Sequence, residues 1–127
     1  MQETKMNTIL IIDDNSDFRE TLRDILKKKG YRILEASDGS DGIRIFRENT
    51  VDLIITDIIM PGKEGIETII ELRNEFPDIK IIAVSGGGRN TPDAYLPLAK
   101  DFGVKYTFPK PLEINKLLEA VDHLLQV

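Results

Sequence analysis

Cysteine is absent from all 127 residues, which excludes disulfide frameworks and thiolate metal sites and suits a reducing compartment. No apolar run approaches the roughly 20 residues needed to cross a bilayer. The opening Met1 to Asn7 is polar and charged, without the apolar centre of a secretory signal. Basic charge is outnumbered: 17 Lys and Arg against 22 Asp and Glu leave a net charge of -5, and there is no basic stripe to displace counterions from a phosphate backbone. The acidic excess is dispersed, with no acidic tail, linker, repeat or low-complexity tract. These absences set the expectation of a soluble, cytoplasmic protein with no membrane or direct nucleic-acid partner. The length is that of one domain, enough to bury about two thirds of the unfolded surface.

What is present is an alternation of strands and helices. After a tail over residues 1–7, Thr8 to Ile12 reads as a buried strand, and Ser16 to about Lys29 as a helix with Phe18, Leu22, Ile25 and Leu26 on one face and Gly30 at its end. Tyr31 to Ala36 alternates as an edge strand would. A shorter helix from about Ser40 to Glu48 is weakened by Gly42, with Ile43 and Phe46 inward. Val51 to Thr56 is a third strand, ending at Asp57; Gly65 to Glu75 is a third helix, with Ile66, Ile69 and Ile70 on one side and Pro77 closing it. Ile79 to Val84 is the fourth strand, followed by Gly86 to Gly88. The segment from Thr91 to Gly103 has a cap in Thr91 and a first-turn Pro92, but Pro97 predicts a kink or a late start. Val104 to Phe108 is the fifth strand, and Ile114, Leu117, Leu118, Val121, Leu124 and Leu125 mark a closing helix. Such an alternation predicts one domain over residues 8–127. Its fold class is α/β: a doubly wound (βα)5 sandwich, flavodoxin-like, with a five-stranded parallel sheet covered on both faces.

In a doubly wound fold, ligands bind at the carboxyl ends of the strands. Asp13 and Asp14 follow the first strand, Asp57 the third, Ser85 the fourth and Lys110 the fifth, so the topology predicts that all five meet at one edge. Taken singly, each has a plainer account: Asp14 or Asn15 as a helix cap, Ser85 as a turn former, Lys110 as solvated surface. Taken together, three carboxylates demand a cation, and oxygen ligands without His or Cys suit magnesium, or manganese, rather than zinc. Such a site is completed by phosphate oxygens. Asp57 can act as the attacking carboxylate, with Lys110 and the Ser85 hydroxyl neutralising or donating to phosphoryl oxygens.

The segments "LIIDDN" from Leu10, "DIIMPGKEG" from Asp57, "AVSGGG" from Ala83 and "FPKPL" from Phe108, in this order and spacing, resemble the two-component response-regulator receiver domain over nearly the whole chain. The resemblance implies that Asp57 accepts a phosphoryl group from a sensor histidine kinase or phosphotransfer protein. It further implies that Asp14 binds magnesium directly and Asp13 through water, that the Ile59 carbonyl is a further metal ligand, that Ser85 is the switch hydroxyl and Lys110 the phosphate-binding lysine, and that the Lys110–Pro111 peptide is cis. The side chains at Ile59 and Gly87 would help set the phosphoryl lifetime. The receiver would catalyse its own phosphorylation and slow dephosphorylation without being a turnover enzyme, and would act on an unknown downstream protein. As nothing follows the last helix, that output is expected in trans, or else the chain is a fragment of a larger regulator.

Two departures stand out. The aromatic switch position, three residues before the lysine, is Thr107, with Tyr106 beside it on the other face of the strand; either Thr107 couples more weakly or a bulge recruits Tyr106. "GGGRNT" lacks the ending of a nucleotide-binding P-loop, which leaves conformational freedom of the loop and following helix on phosphorylation as its reading. Tyr95 and Leu96 suit either a partner surface or packing on the sheet. His123, the single histidine, lies off the apolar stripe and reads as solvated surface, so no Ser-His-Asp triad is expected. A hydrolase similar to haloacid dehalogenases would need a second aspartate where Ile59 stands. The remaining competitor is a flavodoxin-like binding module that is never phosphorylated.

Overall fold

The computed structural model describes residues 6–58, 65–85 and 100–126. In chain order the elements are β1 (Thr8–Ile12), α1 (Ser16–Lys28), β2 (Arg32–Ala36), α2 (Gly39–Glu48), β3 (Leu53–Asp57), α3 (Gly65–Glu75), β4 (Ile81–Ser85), β5 (Tyr106–Pro109) and α4 (Ile114–Leu125). The strands form one parallel sheet in the order β2-β1-β3-β4-β5. Five parallel strands in one sheet and four helices among the described residues are consistent with the expected doubly wound, flavodoxin-like (βα)5 fold. The Gly86 to Gly88 loop, Tyr95 and Leu96, Pro97 with most of the Thr91 to Gly103 segment, and Ile59 lie outside the described residues.

The sheet divides the core in two because successive strand residues point to opposite faces. Leu10, Ile12, Ile54, Ile81 and Ala83 pack with Ile43 of α2 and with Ile66, Ile69 and Leu72 of α3. Ile9, Ile11, Leu53, Ile55, Ile82 and Val84 pack with Leu22 and Leu26 of α1 and with Leu117, Val121 and Leu124 of α4. Strands β1, β3 and β4 are buried along their whole length, whereas β2 at the edge keeps Arg32 exposed and is mostly half-buried, as its position with one neighbour dictates.

Local chemistry sets the element ends. The Asn15 side chain caps α1 by accepting from the Phe18 amide at 3.1 Å, and Gly30, at φ +98°, turns the chain out of that helix. Gly42 has a role that helix propensity does not suggest: a Cβ there would lie 2.4 Å from Cδ1 of the fully buried Ile12, so α2 approaches β1 more closely than alanine allows. Arg73, near the end of α3, donates to the carbonyls of Pro77, Ile79, Phe102 and Gly103, tying α3 to the chain that leads into β5.

The start of α3 is pressed against the end of β3. The Gly65 amide donates to the Ile58 carbonyl at 2.9 Å, and a Cβ on Gly65 would sit 1.9 Å from the Asp57 carbonyl oxygen and 2.6 Å from the Ile58 Cα. Both obstacles are backbone. Gly65→Ala should therefore destabilise the protein by about 2 kcal/mol or more through forced displacement of α3. Urea unfolding measures this, and a variant as stable as the parent would show that the helix start yields freely.

Candidate functional site

The strand order reverses between β1 and β3: the chain leaves β1 for the β2 edge and returns past β1 to β3. Their carboxyl ends border the crevice where doubly wound folds hold ligands. Asp13, immediately after β1, and Asp57, the last residue of β3, lie at that point, carried there by apolar runs that cannot continue into solvent. Oxygens of Asp13, Asp14 and Asp57 all lie within 4.8 Å of one another. Asp13 is fully buried and Asp57 is 4% exposed, while Asp14 is exposed on the open side.

Among the described residues, one cation of the chain itself bonds these acids. Lys110, just beyond β5, donates through Nζ to Asp13 Oδ2 at 2.8 Å and Asp57 Oδ2 at 3.2 Å. Its backbone amide donates to the Ser85 carbonyl at 2.9 Å, which ties the lysine to the end of β4. Burial disfavours the charged amine, but the hydrogen bonds and charges of Asp13 and Asp57 together outweigh it and hold Lys110 above the ordinary lysine range. The Lys110–Pro111 peptide is cis. Ser85 itself is buried at the tip of β4.

The sequence reading brought these five residues to one edge; the structure places Asp13, Asp14, Asp57 and Lys110 in one cluster and Ser85 against the Lys110 backbone. Three contributors were not read as site residues from the sequence. Phe18, read only as an inward-facing helix residue, has its ring centroid 4.1 Å from Lys110 Nζ. Arg19 donates to the Asp13 carbonyl at 2.7 Å while its Nε pairs with Glu35 on β2 at 3.0 Å. Gly65 keeps the α3 start against the Asp57 backbone. Phe18 meets a lysine from the far end of the chain, while the contacts of Arg19 and Gly65, shorter in sequence, depend on how a helix start docks on a strand end, which periodicity does not specify.

At β5 the register is unbroken, pairing Ile82 with Tyr106, Ala83 with Thr107 and Val84 with Phe108. The bulge that would have recruited Tyr106 is not there. Tyr106 belongs to the α1/α4 face, lies parallel to Phe108 with ring centroids 6.3 Å apart, and shares a 2.6 Å hydrogen bond with His123 Nδ1. His123, though exposed, is thus a partner of β5 rather than merely solvated. Thr107 pairs with Ala83, two residues before Ser85, and so shares the face of Ser85.

The donor set suits a hard dication: the oxygens are carboxylate, and two on opposite sides of a magnesium ion lie about 4 Å apart, close to the spread already present. Both Asp13 oxygens are engaged, Oδ1 by the Asn15 amide at 2.9 Å and Oδ2 by Lys110. Among the described residues nothing hydrogen-bonds the Asp14 carboxylate.

Comparison with known proteins agrees with this geometry. Residues 9–122 match the model of the response regulator receiver domain. The chain belongs to that family. The receiver is 34% identical over 120 residues to the chemotaxis protein CheY of Bacillus subtilis, covering 92% of this chain and 96% of that protein. It is 32% identical over 121 residues to the sensor kinase CckA of Brucella abortus, covering 94% of this chain but 12% of CckA. Among solved structures it is similar to the response regulator TrrA of Thermotoga maritima in complex with Mg(2+)-BeF, with TM-score 0.83, 32% identity, and coverage of 94% of this chain and 100% of that one. Receivers are two-component signalling modules rather than turnover enzymes. Among the described residues, no helix is long and apolar enough to cross a membrane.

Proposed function

We propose that this receiver accepts a phosphoryl group on Asp57 from the phosphohistidine of a sensor histidine kinase or phosphotransfer protein, and that the modified form engages a downstream protein. The observation that carries this reading is the Asp57 carboxylate itself: nearly buried, at the topological switch point, with Asp13, Asp14 and Lys110 around it. The Mg(2+)-BeF complex of TrrA and the receiver-like stretch of the sensor kinase CckA support it.

In the reaction a carboxylate oxygen of Asp57 forms a bond to phosphorus as the phosphorus–nitrogen bond of the donor breaks and the imidazole leaves with its electron pair. The transition state is loose, with charge spread over three oxygens, so positioning and electrostatics supply the catalysis. Magnesium, or manganese in its place, would be held by Asp14 directly, Asp13 through water, Asp57 and the Ile59 carbonyl, and when bound would neutralise charge on the phosphoryl oxygens. The engagement of both Asp13 oxygens and the openness of Asp14 favour that division of roles. Lys110 exchanges Asp57 Oδ2 for a phosphoryl oxygen and keeps Asp13. The Ser85 hydroxyl donates to another phosphoryl oxygen, and Thr107, on the same face, passes the change to β5. Water attack on the acyl phosphate resets Asp57.

Incubation with magnesium and acetyl phosphate, followed by intact-mass measurement, tests the reading. One added phosphoryl group, lost on chelation, is the expected result. An unchanged mass with every phosphodonor would instead favour a flavodoxin-like binding module.

A further inference from the structure

We infer that Phe18 is a positioning residue for Lys110, its ring face holding the lysine amine where a phosphoryl group on Asp57 requires it. The inference rests on Asp57 being the acceptor. Nζ lies 4.1 Å from the ring centroid, well inside the roughly 6 Å reach of cation–π attraction. An ammonium has three N–H donors, and Asp13 and Asp57 take two of them. The ring covers a further side. It attracts the charge through its π face but presents no lone pair, so it holds the amine without competing for the hydrogen bond a phosphoryl oxygen needs.

The residue that carries the ring is itself linked to Asp13. Asp13 Oδ1 accepts from the Asn15 amide at 2.9 Å, and Asn15 Oδ1 accepts from the Phe18 amide at 3.1 Å. The Phe18 ring meets Lys110 Nζ, and Nζ donates back to Asp13 Oδ2. These four residues close a circuit in which the helix cap, the ring, the amine and the buried aspartate are mutually fixed. A lysine stem has four rotatable bonds and many rotamers, and Lys110 retains 17% side-chain exposure, so water has access to an amine the ring does not restrain. When the oxygen of Asp57 is phosphorylated, Lys110 pivots about Asp13 and the ring toward the phosphoryl oxygen rather than searching from solvent.

Phe18→Leu keeps apolar bulk on the α1/α4 face and removes the π face; Phe18→Tyr keeps both. In the full chain with saturating magnesium and acetyl phosphate, Phe18→Leu should slow phosphoryl uptake about tenfold without changing magnesium affinity, and Phe18→Tyr should recover most of the rate. In a Lys110→Met background, Phe18→Leu should add no further loss. In metal-free wild-type protein the Lys110 ε-methylene protons should be displaced upfield by the ring current. Equal effects of Phe18→Leu with and without Lys110, a Leu variant as fast as the parent, or ε-protons at ordinary positions would each overturn the inference. A wild-type protein that takes up no phosphoryl group would sink the acceptor reading instead, leaving the ring-current measurement, which needs no phosphodonor and no folded variant, to decide whether Phe18 holds Lys110.

Discussion

Asp57→Asn should take up no phosphoryl group from acetyl phosphate under conditions in which the parent is phosphorylated to a large fraction, and should remain folded. The loss is expected to be complete rather than graded, because an amide oxygen is far less nucleophilic than a carboxylate and, among the described residues, no second acceptor is in position. Asp13 is fully buried with both oxygens hydrogen-bonded. Asp14 is exposed, and Lys110 bonds the other two acids rather than it. The substitution is also mild for the fold. Three carboxylates lie together and Lys110 bonds two of them, so removing one charge relieves repulsion, and the asparagine oxygen can still accept from Lys110. Stability in metal-free buffer should therefore stay within about 1 kcal/mol of the parent or rise. Intact mass and urea unfolding on the same samples check both halves. Phosphorylation of the variant at the parent's level would move the acceptor elsewhere.

Lys110→Met should destabilise the metal-free protein by about 3 kcal/mol, in the range found when one partner of a buried ion pair is removed. Methionine preserves the apolar stem against Phe18 but strips the donor from Asp13 Oδ2, whose carboxylate has no exposure. Lys110 is 17% exposed, little enough that solvent screening does not cancel the pair. Magnesium should restore part of the loss, since a dication near the same carboxylates replaces the missing charge and stabilises by mass action. The pH dependence has a fixed sign. Lys110 is held above its unfolded value, so its contribution is fully present below the unfolded lysine value of about 10.4 and disappears as pH rises through the higher folded value. The stability gap between parent and variant should be level from pH 7 to about pH 10 and close above that. A gap that narrowed at neutral pH would contradict the assignment.

Much of this was legible from local pattern. Continuous apolar runs identified β1, β3 and β4, because strands covered on both faces have no polar side to show. Gly65 to Glu75 was read with the bounds that α3 has. The acids and the lysine were conspicuous because they stand at the ends of predicted strands, and the alternation required those ends to meet. Element edges were less legible: β5 begins at Tyr106 rather than Val104 and reaches Pro109, since the β4 ladder, not propensity, decides where pairing starts. Gly42 looked like a weak point in its helix and is instead where α2 touches Ile12.

The sequence by itself determined the layer order, the two-faced core and the identity of the charged groups at the sheet edge, since these follow from hydrophobic period and from parallel crossovers of one hand. Only the tertiary structure decided how those charges are balanced. Lys110 reaches Asp13 across 97 positions and Asp57 across 53, Phe18 closes over the amine, and Tyr106 turns to His123 while Thr107 faces the side of Ser85. Such pairings depend on distances between segments remote along the chain, and no local period encodes a distance.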